Sequence, residues 1–186
     1  MQGPVDEPLG CPAAQLKRQS KRDVAMTDRH RMGKFHQLGY VCRNIDRAME
    51  TFAERCGVHK WGTMEGPMPQ LGRVAVQKVA LAFRGDIQIE LIQPQLDIPS
   101  IYGNAIPTDE VSVRIHHLGY ICDDEAEWDR VHAHHAKLGN PKVAGMDLDM
   151  VRYCYFDTFV DMGHFTEYFM PGPDMLAFWA TLPRFP

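Results

Sequence analysis

The pattern of apolar and polar residues changes its period in a fixed order along the chain. Over residues 35–42 the two kinds alternate, which is typical of a β-strand with one buried face. Apolar residues then recur at helical spacing between Asn44, a good helix N-cap, and Gly57, a good helix terminator. Three further strand-like segments follow, at residues 58–64, 73–83 and 86–93. The first half of the chain is therefore predicted to fold in the order βαβββ.

The same order is predicted for the second half. Residues 112–122 are predicted to form a strand, and a helix is expected between Asp124 and Gly139. Three more strands are expected at residues 142–146, 150–157 and 164–170. A short helix from Asp174 through Leu182 follows. Because each module must bury one face of its sheet, we predict an α+β fold in which two βαβββ modules form an incomplete, cup-shaped barrel.

These modules define the expected organisation of the chain. We expect residues 34–95 to form the first module, residues 96–111 a connector, and residues 112–186 the second module with its C-terminal helix. Residues 1–33 are polar and basic and show no sustained hydrophobic period, which predicts a disordered tail or an upstream extension.

A motif at the start of each module carries the candidate chemistry. A Leu-Gly-Tyr segment occurs in the first strand of both modules, preceded by Gln37 in the first copy and by His117 in the second. Each module then ends in a strand that holds a glutamate among apolar residues, Glu90 in the first and Glu167 in the second. An internal repeat of this kind lets two similar modules bring four donor side chains to one point on the concave side of the cup.

Glu90 and Glu167 are the strongest of these candidates. A carboxylate in the middle of an apolar strand rarely stays buried unless it is paired or coordinated. One alternative is a structural ion pair with an arginine of a neighbouring strand: Arg73, Arg114 or Arg152. Together with Gln37 and His117, these two glutamates favour a site for a divalent metal ion, because clusters of buried ionisable groups mark functional sites.

Strand alternation sorts the histidines that flank these positions. Gln37 and His117 are expected on the concave face of the sheet. His36 and His116 then fall on the opposite face, where we expect them to point outward or to pack against the fold while bonding a backbone group.

Composition limits the kinds of partner that the chain is expected to bind. The 186 residues carry a net charge of −4, which makes nucleic acid a poor candidate. No apolar run approaches the roughly 20 residues of a membrane span, and the N-terminus lacks the apolar segment of a secretory signal. Five cysteines without a CxxC spacing predict free thiols in a reducing cytoplasm.

The paired motifs resemble those of the vicinal oxygen chelate superfamily, which includes glyoxalase I, methylmalonyl-CoA epimerase, the extradiol dioxygenases and the bleomycin resistance proteins. The resemblance covers most of the chain and is closest to the epimerase-like and glyoxalase branch. There the second module opens with a histidine pair, here His116 and His117, and both modules end in strands that carry a ligand, here Glu90 and Glu167. The resemblance implies metal ligands at His117, Glu90 and Glu167.

This chain departs from the family at its first strand. The usual ligand there is a histidine, whereas this chain has Gln37, with His36 one residue earlier. We favour Gln37 as a ligand through its amide oxygen. The alternatives are that a β-bulge turns His36 inward as its substitute, or that the first module has lost this ligand. Three oxygens and one imidazole suit Mn²⁺, Co²⁺, Ni²⁺, Mg²⁺ or Zn²⁺.

The resemblance also implies a small-molecule substrate, a homodimer by default, and an activity. The expected enzyme is an isomerase, epimerase or lyase that acts through a metal-stabilised enolate or enediolate on a small oxygenated substrate, which includes thioesters and thiol conjugates. Glu167 is the first candidate for the group that carries the proton, and Glu90 is the second. Two alternatives stay open: a ring-cleaving dioxygenase, which needs a second histidine ligand, and a metal-free protein that binds a small molecule and confers resistance.

Overall fold

A computed structural model describes residues 32–69 and 72–186 of the chain. All but the last two residues of the predicted tail lie outside this part. The elements, in chain order, are β1 (Lys34–Cys42), α1 (Ile45–Cys56), β2 (Gly62–Glu65), β3 (Val76–Arg84), β4 (Ile87–Pro94), β5 (Val113–Ile121), α2 (Glu125–Leu138), β6 (Lys142–Leu148), β7 (Val151–Phe156), α3 (Phe159–Met162), β8 (Phe165–Pro171), α4 (Pro173–Ala180) and β9 (Arg184–Phe185). Within these ranges, no helix has the length and apolar character needed to cross a membrane.

The predicted βαβββ order occurs twice, as β1-α1-β2-β3-β4 and as β5-α2-β6-β7-β8. The two modules do not form separate facing sheets. All strands belong to one mixed sheet in the order β2-β3-β4-β1-β5-β8-β7-β6, with β9 added beside β3. In each module the first strand pairs in parallel with the last, and the antiparallel pair β1–β5 joins the modules. The sheet forms an open half-barrel, which confirms the predicted α+β cup.

Both long helices begin and end where the sequence predicts. The Asn44 side chain accepts hydrogen bonds from two backbone N–H groups of the first turn of α1, and Gly57 ends the helix with φ 70°. In α2 the Asp124 side chain accepts one such hydrogen bond, from the backbone N–H of Glu127, and Gly139 ends the helix with φ 78°. The helices pack their apolar sides on the outer face of the sheet, in two separate clusters. The concave face stays uncovered by them and carries a cluster drawn from both modules.

The pairing of β1 with β5 is interrupted by two related bulges. Phe35 pairs with Tyr120 and Gln37 with Gly119, which leaves His36 as an extra residue. The same irregularity leaves out His116 between its neighbours in β5. A bulge ends the strict alternation of side chains, so both histidines lie on the same side as the residue that follows them. Our expectation of an opposite face is wrong for both residues, although each packs in the interior as a buried ring.

The repeated glycines explain how this face accommodates its polar side chains. A Cβ atom on Gly39 would overlap the ring of His117, and one on Gly119 would lie 2.9 Å from the Cβ of Gln37. The glycine of each module therefore makes room for the polar residue of the other module. This reciprocal packing gives the repeated Leu-Gly-Tyr motif a steric function, because any residue larger than glycine would push the facing side chain away.

We expect Gly39→Ala to lower the free energy of unfolding by about 1–3 kcal/mol, because the added methyl group must displace the buried ring of His117. Urea denaturation measures this change. Gly103→Ala is the matched control, since nothing lies within 4 Å of the added Cβ there. Equal stability of the two variants would show that the glycine does not limit the packing of β1 against β5.

Candidate metal centre

A cavity of about 460 Å³ opens on the concave face of the sheet. Both modules contribute to its wall, which is apolar over nearly all of its surface. Apart from tyrosine side chains, the polar side chains in the wall are few: Gln37, Gln88, Glu90 and Glu167. A cavity of this size with a few convergent polar groups is typical of a site for a small molecule.

The structure brings together the four side chains that the sequence selected. They come from the four central strands, β1, β4, β5 and β8. The Nε2 atom of His117 lies 3.0 Å from Gln37 Oε1, 2.9 Å from Glu167 Oε2 and 3.2 Å from Glu90 Oε2. The His117 and Glu167 side chains are 0% and 3% exposed, and that of Glu90 is 17% exposed. The assignment of these residues as metal ligands stays a prediction.

The arrangement leaves hydrogen-bonding capacity unused. His117 Nε2 carries at most one hydrogen, so it cannot satisfy three oxygen atoms. Gln37 Oε1 lies in hydrogen-bonding geometry with this nitrogen, whereas Glu167 Oε2 is buried without a hydrogen-bond partner although it lies within ion-pair distance. Ligands at right angles around a metal at about 2.1 Å lie about 3.0 Å apart, which matches these separations. The donor set therefore fits a divalent ion.

A relay of hydrogen bonds orients His117 from behind. His116 Nε2 lies 3.1 Å from the carbonyl oxygen of Ile101, which only accepts, so this nitrogen carries the hydrogen. Burial, with the charge of His117 adding to it, lowers the pKa of His116 to about 3, which keeps the ring neutral and its Nδ1 bare. His117 Nδ1 lies 3.0 Å from that atom and must donate to it. If a bound cation displaces the hydrogen of Nε2, the hydrogen that stays on Nδ1 keeps the lone pair of Nε2 turned toward the carboxylates.

Two carboxylates dominate the electrostatics of this cluster. Burial alone would lower the pKa of His117, but the negative charges of Glu167 and Glu90 outweigh it and raise the pKa to about 9. Burial raises the pKa of Glu167, and the neighbouring His117 opposes that shift. Burial and the charge of Glu167 raise the pKa of Tyr155, whose hydroxyl stays protonated and donates to this carboxylate. A cation at the centre of the cluster would relieve the repulsion between the two carboxylates.

The structure distinguishes between the partners that the sequence left open for Glu90 and Glu167. Within the described part of the chain, the ion pairs of Glu90 and Glu167 both go to His117, while Arg152 pairs with Glu125 and Asp147. The arginine-pair interpretation is therefore not what the structure shows.

His36 is turned inward by its bulge, as its candidacy as a substitute for Gln37 required. Its ring stacks on Trp179 at 4.5 Å and contacts Phe83 and Phe169 edge-on. The ligand-type atoms that lie within 4.8 Å of one another belong to Glu90, His117 and Glu167, and His36 is outside this group. Gln37, which contacts His117 directly, is the better placed of the two first-strand candidates.

Sequence reasoning missed two residues of this site. Tyr155 supports Glu167, but a tyrosine in an apolar strand gives no signal that separates this function from core packing. Gln88 is fully buried in the cavity wall and accepts a hydrogen bond from Gln37 Nε2 at 2.8 Å. Its position two residues before Glu90 places it on the same strand face, which is the signal that the sequence offered.

Comparisons with known proteins agree on a family and a fold. The family model described as Glyoxalase/Bleomycin resistance protein/Dioxygenase superfamily matches residues 36–152. Methylmalonyl-CoA epimerase from Mycobacterium tuberculosis is similar with a TM-score of 0.55 and 18% identity, over 80% of this chain and 98% of that one. A Streptomyces coelicolor methylmalonyl-CoA epimerase in complex with 2-nitronate-propionyl-CoA gives 0.55 and 15%, over 77% and 97%.

A hypothetical protein from Bacillus halodurans C-125 is similar with a TM-score of 0.54 and 13% identity, over 76% of this chain and 96% of that one. No curated protein matches the chain. At these identities the solved structures establish the shared fold, and the chemistry must be argued from the residues themselves.

His116→Phe should weaken the binding of Co²⁺ about ten- to hundredfold, because the ring shape is kept while the nitrogen that orients His117 is lost. Absorption titration with Co²⁺ measures the dissociation constant, and circular dichroism checks the fold. His134→Phe, on the exposed side of α2, is the control and should bind as the unaltered protein does. Unchanged affinity in His116→Phe would contradict the relay.

Proposed function

Because the chain belongs to the Glyoxalase/Bleomycin resistance protein/Dioxygenase superfamily, we propose that it is a metal-dependent isomerase, epimerase or lyase that moves a proton at the carbon next to a carbonyl group. The observation that carries this proposal is the convergence of three oxygen atoms on His117 Nε2, within 3.2 Å, at the wall of a cavity that is otherwise apolar. The substrate is a small oxygenated molecule that enters this cavity.

Gln37, Glu90, His117 and Glu167 would hold the metal ion. When bound, a divalent ion supplies a Lewis acid that polarises a substrate carbonyl. The mixture of carboxylate, amide and imidazole donors suits Mn²⁺, Co²⁺, Ni²⁺, Mg²⁺ or Zn²⁺. The two carboxylates balance the charge of a divalent ion, so the occupied centre is electrically neutral before the substrate arrives.

Glu167 is the residue that we assign to proton transfer. Its Oε2 atom is buried in the cavity wall and receives no hydrogen bond there, so a carboxylate that leaves the metal ion can accept a proton from the substrate. As the carbon–hydrogen bond breaks, the proton goes to this oxygen and the electron pair shifts toward the carbonyl oxygen. Delivery of a proton to the opposite face by a second acid, for which Glu90 is the candidate, gives the epimer, and return of the proton from Glu167 to the neighbouring atom gives an isomer.

Other groups of the chain hold the base and its surroundings. The Tyr155 hydroxyl donates to the Glu167 carboxylate and restricts its orientation. The apolar wall keeps water away from the reacting carbon, which strengthens every electrostatic interaction in the site. Glu90, on the facing module and 17% exposed, is the second group that can exchange a proton with the substrate.

The donor set argues against a ring-cleaving dioxygenase. Non-haem iron sites of that chemistry use two histidines and one carboxylate. Here the cluster of the described residues holds one histidine and two carboxylates. The fold that the chain shares with methylmalonyl-CoA epimerases is consistent with proton transfer next to a carbonyl, and metal-free binding of a small molecule is the outcome that the experiment below must exclude.

Glu167→Gln should keep the fold, because size and shape are preserved, and should slow the exchange of an acidic C–H for deuterium at least about a hundredfold, because an amide cannot accept the proton. Proton NMR in D₂O on a metal-loaded sample with a 2-substituted acyl thioester measures the rate. Glu125→Gln, at an exposed position on α2, is the matched control and should exchange at the unaltered rate.

Two results would overturn this assignment. If Glu167→Gln exchanged deuterium at the unaltered rate and had normal metal content by elemental analysis, another residue would be the base. Glu90 would be the next residue to test. If the unaltered protein retained none of the five metals under any loading condition, the proposed function would change from a metal-dependent enzyme to a protein that binds a small molecule.

A further inference from the structure

The Gln88 side chain presents an unused hydrogen-bond donor to the cavity. The residue is fully buried on β4 and forms part of the cavity wall. Its Oε1 atom accepts a hydrogen bond from Gln37 Nε2 at 2.8 Å, but its own Nε2 is buried without a partner. A buried donor without a partner is unfavourable, and in the wall of a cavity a bound molecule can complete it.

The orientation of the amide follows from the cluster beside it. Gln37 turns its oxygen toward His117 Nε2, so its nitrogen faces Gln88. That nitrogen only donates, so the oxygen of Gln88 must face it. The remaining N–H groups of Gln88 are therefore the free end of a chain of hydrogen bonds that starts at His117.

The second module shows that the fold does not require an amide at this place. Gln37 pairs with Gln88 across β1 and β4, and the equivalent pair in the second module is His117 with Phe165. Phe165 packs on the ring of His116 as an ordinary apolar residue. The polar residue at position 88 is thus an asymmetry between two otherwise matching modules, which points to a ligand rather than to the folding of the sheet.

The rest of the wall restricts what that ligand is. No lysine or arginine of the described residues lines the cavity, so the wall offers no cation for a phosphate group. Four methionines line it instead, and these flexible side chains adapt to apolar bodies of different shape: Met64, Met68, Met150 and Met175.

We propose that Gln88 is a substrate-binding residue, and that the substrate is a compact apolar molecule without phosphate that carries a second acceptor oxygen beside its reacting carbonyl. The reacting carbonyl lies at Glu90, His117 and Glu167, and the second oxygen accepts a hydrogen bond from Gln88 Nε2. The proposal rests on the proposed function for the position of the reacting carbonyl. Its test measures binding alone.

Three small molecules separate the contribution of the apolar body to binding from that of the second oxygen. Methyl 2-oxo-4-phenylbutanoate has the apolar body and two neighbouring oxygens, 4-phenylbutan-2-one lacks the ester oxygens, and methyl pyruvate lacks the apolar body. By isothermal titration calorimetry on metal-loaded protein, the first should bind at least tenfold more tightly than methyl pyruvate. Gln88→Leu should weaken the first compound about three- to tenfold and leave 4-phenylbutan-2-one unchanged.

Two further variants keep the result interpretable. Gln88→Glu retains an acceptor for Gln37 but removes the donor, so it should lose affinity for the same compound if Gln88→Leu fails to fold. Ile92→Val, on the same face of β4, removes one methyl group from the wall and should weaken both phenyl compounds alike.

Several results would overturn the proposal. A loss of affinity in Gln88→Leu that is equal for both phenyl compounds would reveal a purely structural role, and no loss at all would remove Gln88 from the site. If 4-phenylbutanoyl-CoA bound more than tenfold more tightly than the S-methyl thioester of 4-phenylbutanoic acid, the substrate would carry phosphate, contrary to the proposal. Selective binding that survives without any deuterium exchange would instead contradict the proposed function and leave this inference in place.

Discussion

The antiparallel pairing of β1 with β5 is the constraint on which the rest of the molecule depends. It is the contact that merges two βαβββ modules into one sheet. It also sets Gly39 against the ring of His117 and Gly119 against Gln37. A shift of the register by one residue would move both polar side chains to the other face, so the pairing that builds the fold also builds the cluster.

That pairing concentrates charge in an apolar surrounding. The carboxylates of Glu90 and Glu167 lie on either side of His117, and the cavity wall around them offers little other polar surface. Burial of like charges is unfavourable, and a hydrogen on one nitrogen compensates it only in part. The unpartnered oxygen of Glu167 and the unpartnered nitrogen of Gln88 show the same condition: both polar atoms are buried without a hydrogen-bond partner in the described part of the chain.

Much of this arrangement is predictable from the sequence, because the repeat constrains it. Helix caps at Asn44 and Asp124 placed both helices, and the repeated glutamates identified the strands that end each module. The bulges at His36 and His116 were not predictable from alternation, which assumes an uninterrupted ladder of paired residues. The function of His116 depends on the carbonyl of Ile101 in the connector, a contact that no local pattern encodes.

The central claim is that Gln37, Glu90, His117 and Glu167 form one metal site, and anomalous X-ray diffraction tests it most directly. Crystals grown with Co²⁺ would be measured on both sides of the cobalt absorption edge. The account predicts one strong anomalous peak about 2.0–2.3 Å from Gln37 Oε1, Glu90 Oε2, His117 Nε2 and Glu167 Oε2. A peak only at other positions in crystals saturated with Co²⁺, with His117 still lying between the two glutamates, would contradict it.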